Sequence, residues 1–413
     1  MVRVVKVLEA ASLKLTPYQS CDSSQEKLLI QRVSSFCIQD NGMIEKYCIS
    51  EIVLPRRLEM QIARCEVTPV ELKLRLAVKM AGQPEITHIN AIFVRIETKE
   101  GRNAWGCSVA HPQLTGENPE NAIRVCLNCA DIVPDLHPYN IEYSLAKLAP
   151  IARDSCAATC AFDLAFYDLL GLVADMPLYR LLGGYRNRMQ TSVTIPLTSI
   201  DESVEIALAR ARTGFRMLKI KGGQDPEEDV VRVRAIHRAL PDHILRLDAD
   251  GGYTVHQALE VARALKNELE MLEQPTPFDD LPSLKDVTRN SPVPVLADQS
   301  VKGPASALEL ATQGIVNGIC VKVATCGGVH CSRQVDAIAR AAHIATMVSC
   351  IIEPALMIAA GLSLALSSPN VRYSDLDGHL DLIDDPTQIG FRLEDGCLIA
   401  SDIPGLGCTV KLN

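Results

Sequence analysis

The sequence predicts a parallel eight-stranded (β/α) barrel carrying a smaller α+β domain. From about Thr191 onward, short β-type runs alternate with amphipathic segments, the pattern of parallel βα units, and eight such runs can be marked. Charged residues stand at the carboxyl ends of those runs, and in a closed barrel all such ends open on one mouth. A chain of 413 residues also exceeds what one ordinary core organises, so a second domain is expected.

Residues 1–65 lack a targeting pattern and mix polar with apolar runs; they read as a non-catalytic N-terminal extension of unknown role. Residues 66–188 are expected to form an α+β capping domain. A strand pair around Glu66–Leu76 and Ala91–Glu97 leads there into a long helical stretch holding Leu164, Tyr167, Asp168 and Leu169. Residues 189–385 make the barrel, with strands at Ser192–Ile195, Met217–Lys221, Ile244–Asp248, Glu270–Glu273, Val293–Asp298, Gly318–Lys322, Thr346–Cys350 and Val371–Asp375. In the helical pattern Glu227–Leu240, residues Val230, Val231, Val233, Ile236 and Leu240 are expected to share one inward face. The apolar stretch Ala345–Leu366 approaches the length of a membrane span, but Glu353-Pro354 interrupts it, so a buried strand followed by a buried helix is expected. Residues 386–413 hold short strands punctuated by Gly390, Gly396, Gly405 and Gly407, and should return to complete the capping domain.

Hydrophobic residues make up 47% of the chain and charged residues 22%, enough apolar material for a substantial core. With 50 acidic against 41 basic residues and a net charge of −9, nucleic acid and anionic membranes are disfavoured as partners, and a small-molecule substrate is expected. Fifteen cysteines would suggest a disulfide framework in a short secreted protein; in a chain of this length they suit free thiols in the cytoplasm. Cys126/Cys129 and Cys156/Cys160 have spacings near those of zinc ligands, yet the second pair lies in an Ala-rich helical stretch where buried thiols are common.

The chemistry lies in the strand ends. Lys219, Lys221, Asp248, Glu273, Asp298, Lys322 and Asp375 stand there, and successive members from Asp248 to Lys322 fall about 25 residues apart, one βα unit per step. Three carboxylates, Asp248, Glu273 and Asp298, converging on one mouth would repel each other unless a cation held them, and oxygen-only ligation suits Mg²⁺. Any one of these acids could instead cap a helix or pair with a loop arginine. Three in register with flanking lysines favour the metal. Lys219 and Lys221 alternate on one strand and point the same way, so each should disfavour the other's protonation and leave one a good base; a nearby cation would reinforce this. Lys322 approaches from the opposite side. Two such lysines could take a proton from one face of a carbon and return one to the other, which is racemisation or epimerisation. Gly222-Gly223 and Gly251-Gly252 do not form a phosphate-binding loop, which counts against phosphoryl transfer through Asp248-x-Asp250.

The motifs Lys219-Ile220-Lys221, Asp248-Ala249-Asp250-Gly251-Gly252-Tyr253, Glu273-Gln274-Pro275, Ala297-Asp298-Gln299-Ser300 and Lys322-Val323-Ala324-Thr325-Cys326-Gly327-Gly328 resemble the muconate-lactonizing branch of the enolase superfamily. The resemblance runs in order over residues 66–413 and implies a TIM-type barrel. It implies further that Lys221 and Lys322 are the acid/base pair, that Lys219 supports Lys221, and that Asp248, Glu273 and Asp298 bind magnesium. Asp375-Leu376-Asp377-Gly378 is similar to the D-x-D motif of dipeptide epimerases, whose carboxylates hold the substrate's α-ammonium group; the alternative is a solvated acidic turn or a helix cap. Thr194 resembles a position near the substrate in those enzymes. The expected activity is Mg²⁺-dependent epimerisation of a dipeptide at the α-carbon of its second residue, by 1,1-proton transfer through a metal-stabilised enolate in a homo-oligomer. A loop around Val78–His88 should close over the mouth, and Lys79 and His88 hint at an acidic substrate side chain. An o-succinylbenzoate synthase or muconate cycloisomerase is the alternative, but Asp375 and Asp377 would repel its anionic substrate. A non-catalytic metal- or peptide-binding barrel is the other, and retention of both lysines counts against it. Gln299 stands in place of a common glutamate, Asp250 of an asparagine, Glu353-Pro354 of Glu-Ser, and Cys107, after Ala104-Trp105-Gly106, of a glutamate; none removes a ligand or base.

Overall fold

Eight parallel strands, hydrogen-bonded in chain order, form the central sheet of the computed structural model, which describes residues 36–40, 43–47, 61–78 and 84–412. Contacts divide the chain into two compact units, Met1–Glu59 and Met60–Asn413. In the first, Phe36–Asp40 pairs antiparallel with Met43–Tyr47. The rest of the expected extension up to residue 60, and Lys79 in the expected mobile loop, lie outside the described residues.

The barrel strands are Ser192–Ile195, Met217–Lys221, Ile244–Asp248, Leu269–Glu273, Val295–Ala297, Gly318–Lys322, Ala345–Ser349 and Val371–Asp375. The fifth is shorter than expected, and Asp298 follows it directly. Along each strand the period of two sends alternate residues inward. Met271, Leu296, Cys320 and Met347 make one buried cluster with Tyr373 packed against it. Two residues further on stand Glu273, Asp298, Lys322, Ser349 and Asp375, so an apolar layer underlies a charged one. Arg246 is fully buried beside this layer; its guanidinium meets Glu270 at 2.7 Å and the Ser374 carbonyl at 3.0 Å, and lies over the Tyr373 ring. A charge without water requires such complete pairing.

Side chains bridge the first and eighth strands, the two edges of the hydrogen-bonded order. Ser192 Oγ lies 2.6 Å from Asp375 Oδ1, Thr191 Oγ1 accepts from the Leu376 N–H at 2.7 Å, and Asp377 Oδ2 accepts from the Thr194 N–H at 2.6 Å. Backbone donors that would be orphans at this seam are satisfied by carboxylate and hydroxyl oxygens.

The helix Pro226–Ala239 buries Val233 and Ile236 as expected, with Val230 and Leu240 packed against the core, and differs from the apolar pattern at Val231. Val231 is 48% exposed while Asp229 and Arg232 are buried, because Arg232 pairs with Asp229 and the Tyr253 hydroxyl donates to Asp229 at 2.6 Å. A polar pair thus occupies the inward place that periodicity gave to valine, with Arg232 Nε left without a partner. The apolar stretch near the C-terminal half resolves as expected into the strand Ala345–Ser349 and the buried helix Ala355–Ser367. Among the described residues one helix, Cys156–Ala174, is long and apolar enough to cross a membrane, and it lies mostly buried inside the fold.

That helix supports an antiparallel sheet of Ile62–Val78, Ile86–Thr98 and Asn103–Ala110. The third strand escaped the sequence reading because both its faces are covered and it does not alternate. The approach is close enough that a Cβ at Gly106 would lie 1.9 Å from the Ala161 carbonyl oxygen, so only glycine fits. Cys107, next along, is fully buried, as are Cys126, Cys129 and Cys160, all as free thiols. Leu382–Ile383, within the range expected for the barrel, pairs with Ile62–Val78 in this sheet, and Cys397–Ile399 pairs with Arg188–Gln190 in a separate three-stranded sheet. Two buried aspartates of the long helix fasten distant chain to it. Asp168 accepts from the Trp105 N–H at 2.8 Å and the Leu406 N–H at 2.7 Å. Asp163 accepts from the Val329 and His330 N–H groups, capping the helix Val329–Ala341, whose own cap residue Gly328 has no side chain.

Candidate active site

Parallel register delivers the charged residues to one level. Lys221 lies opposite Asp248, Asp248 opposite Glu273, Lys322 opposite Ser349, and Ser349 opposite Asp375. Lys219 Nζ, in a side chain nearly out of reach of water, lies 3.0 Å from Asp248, 3.0 Å from Glu273 and 2.8 Å from Asp375. Lys221 Nζ meets Asp248 at 2.8 Å and Asp250 at 2.9 Å, and Lys322 Nζ meets Asp298 at 2.6 Å. Lys221 ends the second strand and Lys322 the sixth, four apart in a ring of eight, so the two stand across the mouth from each other with carboxylates between.

The acids change the expected behaviour of the lysines. Burial acts to lower each of them, but it is outweighed: Asp248, Asp375 and Glu273 hold Lys219 well above the ordinary lysine value, Asp248 and Asp250 raise Lys221, and Asp298 raises Lys322. Mutual repulsion of Lys219 and Lys221 is present but smaller, so the sequence expectation of a lowered lysine is corrected for the chain with no cation bound. Burial works to raise Asp248, yet Lys219 and Lys221 hold it below the usual carboxylate range. Glu273 goes the other way, pushed up to about 8 by burial and by Asp248.

Ligand atoms converge within 4.8 Å of one another in two groups among the described residues: Glu273, Asp298 and Cys320, and Asp248, Asp250 and Asp298. Asp298 belongs to both. Glu273 Oε2 is buried with no hydrogen-bond partner, a costly orphan that a cation would satisfy. Asp248, Asp250, Asp298 and Asp375 stand against the ammonium groups of Lys219, Lys221 and Lys322, so negative charge is left for a divalent ion even while Glu273 holds a proton. The donor set is mainly carboxylate oxygen, which fits magnesium. Burial pushes the Cys320 thiol well up, so it offers no anionic sulfur. Asp250 and Cys320 were absent from the expected ligand set. Cys320 stands two residues before Lys322 on one strand, so the period of two gave a signal for it; Asp250 lies past the strand end in a left-handed turn, and both its oxygens are taken by Lys221.

Asp375 and Asp377 reach the mouth at different depths. Asp375, 2% exposed, is engaged by Lys219, Ser192 and, at 3.1 Å, the Ser349 hydroxyl. Asp377 is half-buried, accepts from the Thr194 N–H, and is pushed up to about 6 by burial and by Asp375. Thr194 therefore touches Asp377 through its backbone. Glu353 is fully buried, keeps Oε1 without a partner and is pushed up to about 8 by burial. His88 sits on the strand Ile86–Thr98, 3.2 Å from the Thr87 hydroxyl.

Residues 202–413 match the enolase C-terminal domain-like family. A hydrophobic dipeptide epimerase of Enterococcus faecalis is 33% identical over 352 residues, covering 84% of this chain and 99% of that protein. An L-Ala-D/L-Glu epimerase of Clostridium acetobutylicum is 31% identical over 329 residues, covering 78% of this chain and 91% of that one. The crystal structure of the dipeptide epimerase from Enterococcus faecalis, complexed with Mg and the dipeptide L-Leu-L-Tyr, superimposes with a TM-score of 0.82 at 33% identity, covering 85% of this chain and 100% of its own. With the same barrel, and with relatives at this identity across most of its length, the chain belongs to the enolase superfamily and is an isomerase of the epimerase kind.

Proposed function

We propose that this protein epimerises dipeptides at the α-carbon of the second residue, with Asp248, Glu273 and Asp298 holding magnesium. The observation that carries the reading is that Lys221 and Lys322 flank a group of carboxylates from opposite sides of one mouth. Magnesium in that group supplies positive charge beside the substrate's carboxylate, where negative charge builds as the α-proton leaves.

Lys221 and Lys322 carry the proton. One, as the free amine, takes it from its own face of the carbon; the other, as the ammonium, delivers one to the opposite face, and the configuration inverts. After turnover the protonation states are exchanged, so each epimer is taken up by its own base. Lys219, buried among Asp248, Glu273 and Asp375, stays an ammonium and works against the raising effect of Asp248 and Asp250 on Lys221. Asp377 has lone pairs beyond the one that meets Thr194 and can accept from the substrate's α-ammonium group, with Thr194 beside it. Asp375 supports that function from beneath through Lys219 and Ser192. The relatives are named for dipeptides with different side chains, and the ammonium, the peptide and the carboxylate are the parts those substrates share. An anionic cycloisomerase substrate would meet the carboxylate of Asp377.

Incubation with Mg²⁺ and a mixed L,L-dipeptide library in D₂O tests the proposal. A one-unit mass gain at the second residue, abolished by EDTA, is expected. Absence of exchange from every dipeptide, while magnesium still binds, would overturn the reading.

A further inference from the structure

The two lysines are held unequally. Lys322 meets one carboxylate, that of Asp298, whereas Lys221 is gripped by Asp248 and by both oxygens of Asp250, at 3.0 and 2.9 Å. Asp250 is itself fixed. Its backbone takes φ +45°, a left-handed conformation that aspartate tolerates better than most side chains, and its N–H donates to Asp248 Oδ1 at 3.1 Å. The next residue, Gly251, donates to the Gln274 carbonyl at 2.7 Å. This loop also lies hard against the loop after the second strand: a Cβ on Gly252 would fall 2.0 Å from the Gly223 carbonyl oxygen.

Gln299 completes the arrangement from the far side. Its Nε2 donates to Asp250 Oδ1 at 3.0 Å, while its Oε1 is buried without a donor. Turning the amide over would set two acceptors face to face, so Asp250 fixes which way Gln299 points. Asp250 and Gln299, the two departures nearest the strand-end acids, are thus a single contact.

We infer that Asp250 and Gln299 form a positioning pair for Lys221, holding its Nζ over the reacting carbon on one face only. The inference rests on the epimerase reading of the same site. Proton transfer at the Lys221 face then depends on the pair, and transfer at the Lys322 face does not. Exchanging acid and amide across the bond keeps the net charge while moving it from beside Lys221 to beside Asp298.

The variants Asp250→Asn, Gln299→Glu and the double variant are compared with the wild type by first-turnover deuterium exchange, started separately from each epimer of one dipeptide; Lys221→Ala identifies the epimer that depends on Lys221. Loss of one charge-assisted hydrogen bond predicts that Asp250→Asn slows exchange from that epimer roughly tenfold or more. Exchange from the other epimer should stay within about twofold, below the effect of one neutral hydrogen bond. Gln299→Glu alone faces two carboxylates together and should be worse, and the double variant should recover relative to it. Equal loss from both epimers, or additive effects of the two substitutions, overturns the pair. If the wild type exchanges no dipeptide, the epimerase reading fails, and crystal structures of the wild type and Asp250→Asn decide the positioning: a displaced Lys221 Nζ supports it, and an unmoved one overturns it.

Discussion

Replacing Lys219 by methionine separates what this lysine does for the fold from what a cation does for the site. Methionine keeps an unbranched flexible stem and deletes the charge. Lys219 Nζ is within 3.0 Å of three carboxylates. Removing one partner of a buried ion pair leaves uncompensated charge and costs about 3–5 kcal/mol. Spread over the unit Met60–Asn413, at roughly 2.1 cal/mol/K of unfolding entropy per residue, that lowers the melting temperature by about 4–7 °C in EDTA. Magnesium should then give back more to the variant than to the wild type, because the abandoned carboxylates bind a divalent ion without competition from an ammonium. At one hundred times Kd, binding contributes about 2.7 kcal/mol, or about 4 °C here. Each tenfold gain in affinity adds about 1.4 kcal/mol, a further ~2 °C. Scanning calorimetry of both proteins, in EDTA and in excess Mg²⁺ at matched ionic strength, reads the two increments. A Lys219→Met protein that melts with the wild type in EDTA, or gains no more from Mg²⁺ than the wild type does, would refute the account of this lysine as the cation's competitor.

The substitutions Lys221→Ala and Lys322→Ala should each slow epimerisation by about 10²–10⁴-fold with melting little changed, and a wild-type rate in either excludes two-base transfer. Burial pushes Asp163 up to about 8, so the native state holds its proton where the unfolded chain has released it, from an ordinary value of 3.8 upward. Stability should accordingly fall as pH rises through that window and level off above it, and Asp163→Asn, which keeps one acceptor for the Val329 N–H, should flatten the slope; denaturant melts across pH read this, and an unchanged slope excludes the cause. In Gly405→Ala the new Cβ would lie 2.2 Å from Asp168 Oδ1 at a residue with φ +71°, a loss of roughly 3 kcal/mol or more that a thermal melt detects, and a melting point unmoved by the change contradicts the packing. Asp377→Asn should raise KM for dipeptides with little effect on folding, whereas Asp375→Asn should lower the melting temperature; steady-state kinetics and melts on both variants show whether the two acids divide in this way.

The barrel was legible because its strands read as short β-type runs, six of the eight ending in or next to a charge, and the strand-end charges were legible because parallel register repeats at every unit. What escaped has local physical reasons. Asn103–Ala110 is covered on both faces and shows no alternation. Arg232 takes the inward place that Val231 held in the apolar pattern because Asp229, itself held by the Tyr253 hydroxyl, pairs with it there, a compensation visible only in three dimensions. The lysines were read by their nearest neighbours in sequence, each other, while the groups that dominate them come from the third, fourth, fifth and eighth strands. Asp250 looked like a departure from a motif. Its contacts with Lys221 and Gln299 depend on a left-handed turn that brings the loop back over the mouth.

The acids of the eighth strand show how closure of the barrel and construction of the site are one problem. Where side chains close the seam, the Thr194 N–H needs an acceptor, and Asp377 supplies it. Ser192 and Lys219 need an anion one layer down, and Asp375 supplies that. Both positions therefore have a reason to be acidic whether or not a substrate ever arrives. Their roles diverge with depth: two residues of extended chain span about 6.6 Å, and Asp377, just past the strand end, sits at a partly exposed rim above the nearly dry layer of Asp375. A carboxylate with several lone pairs can close a seam and still accept from a substrate ammonium, but only at the rim, where the ammonium can reach it. The strand end aims Asp375 and the residue just beyond it, Asp377, at the same mouth, and depth leaves Asp377 as the one that can meet a dipeptide.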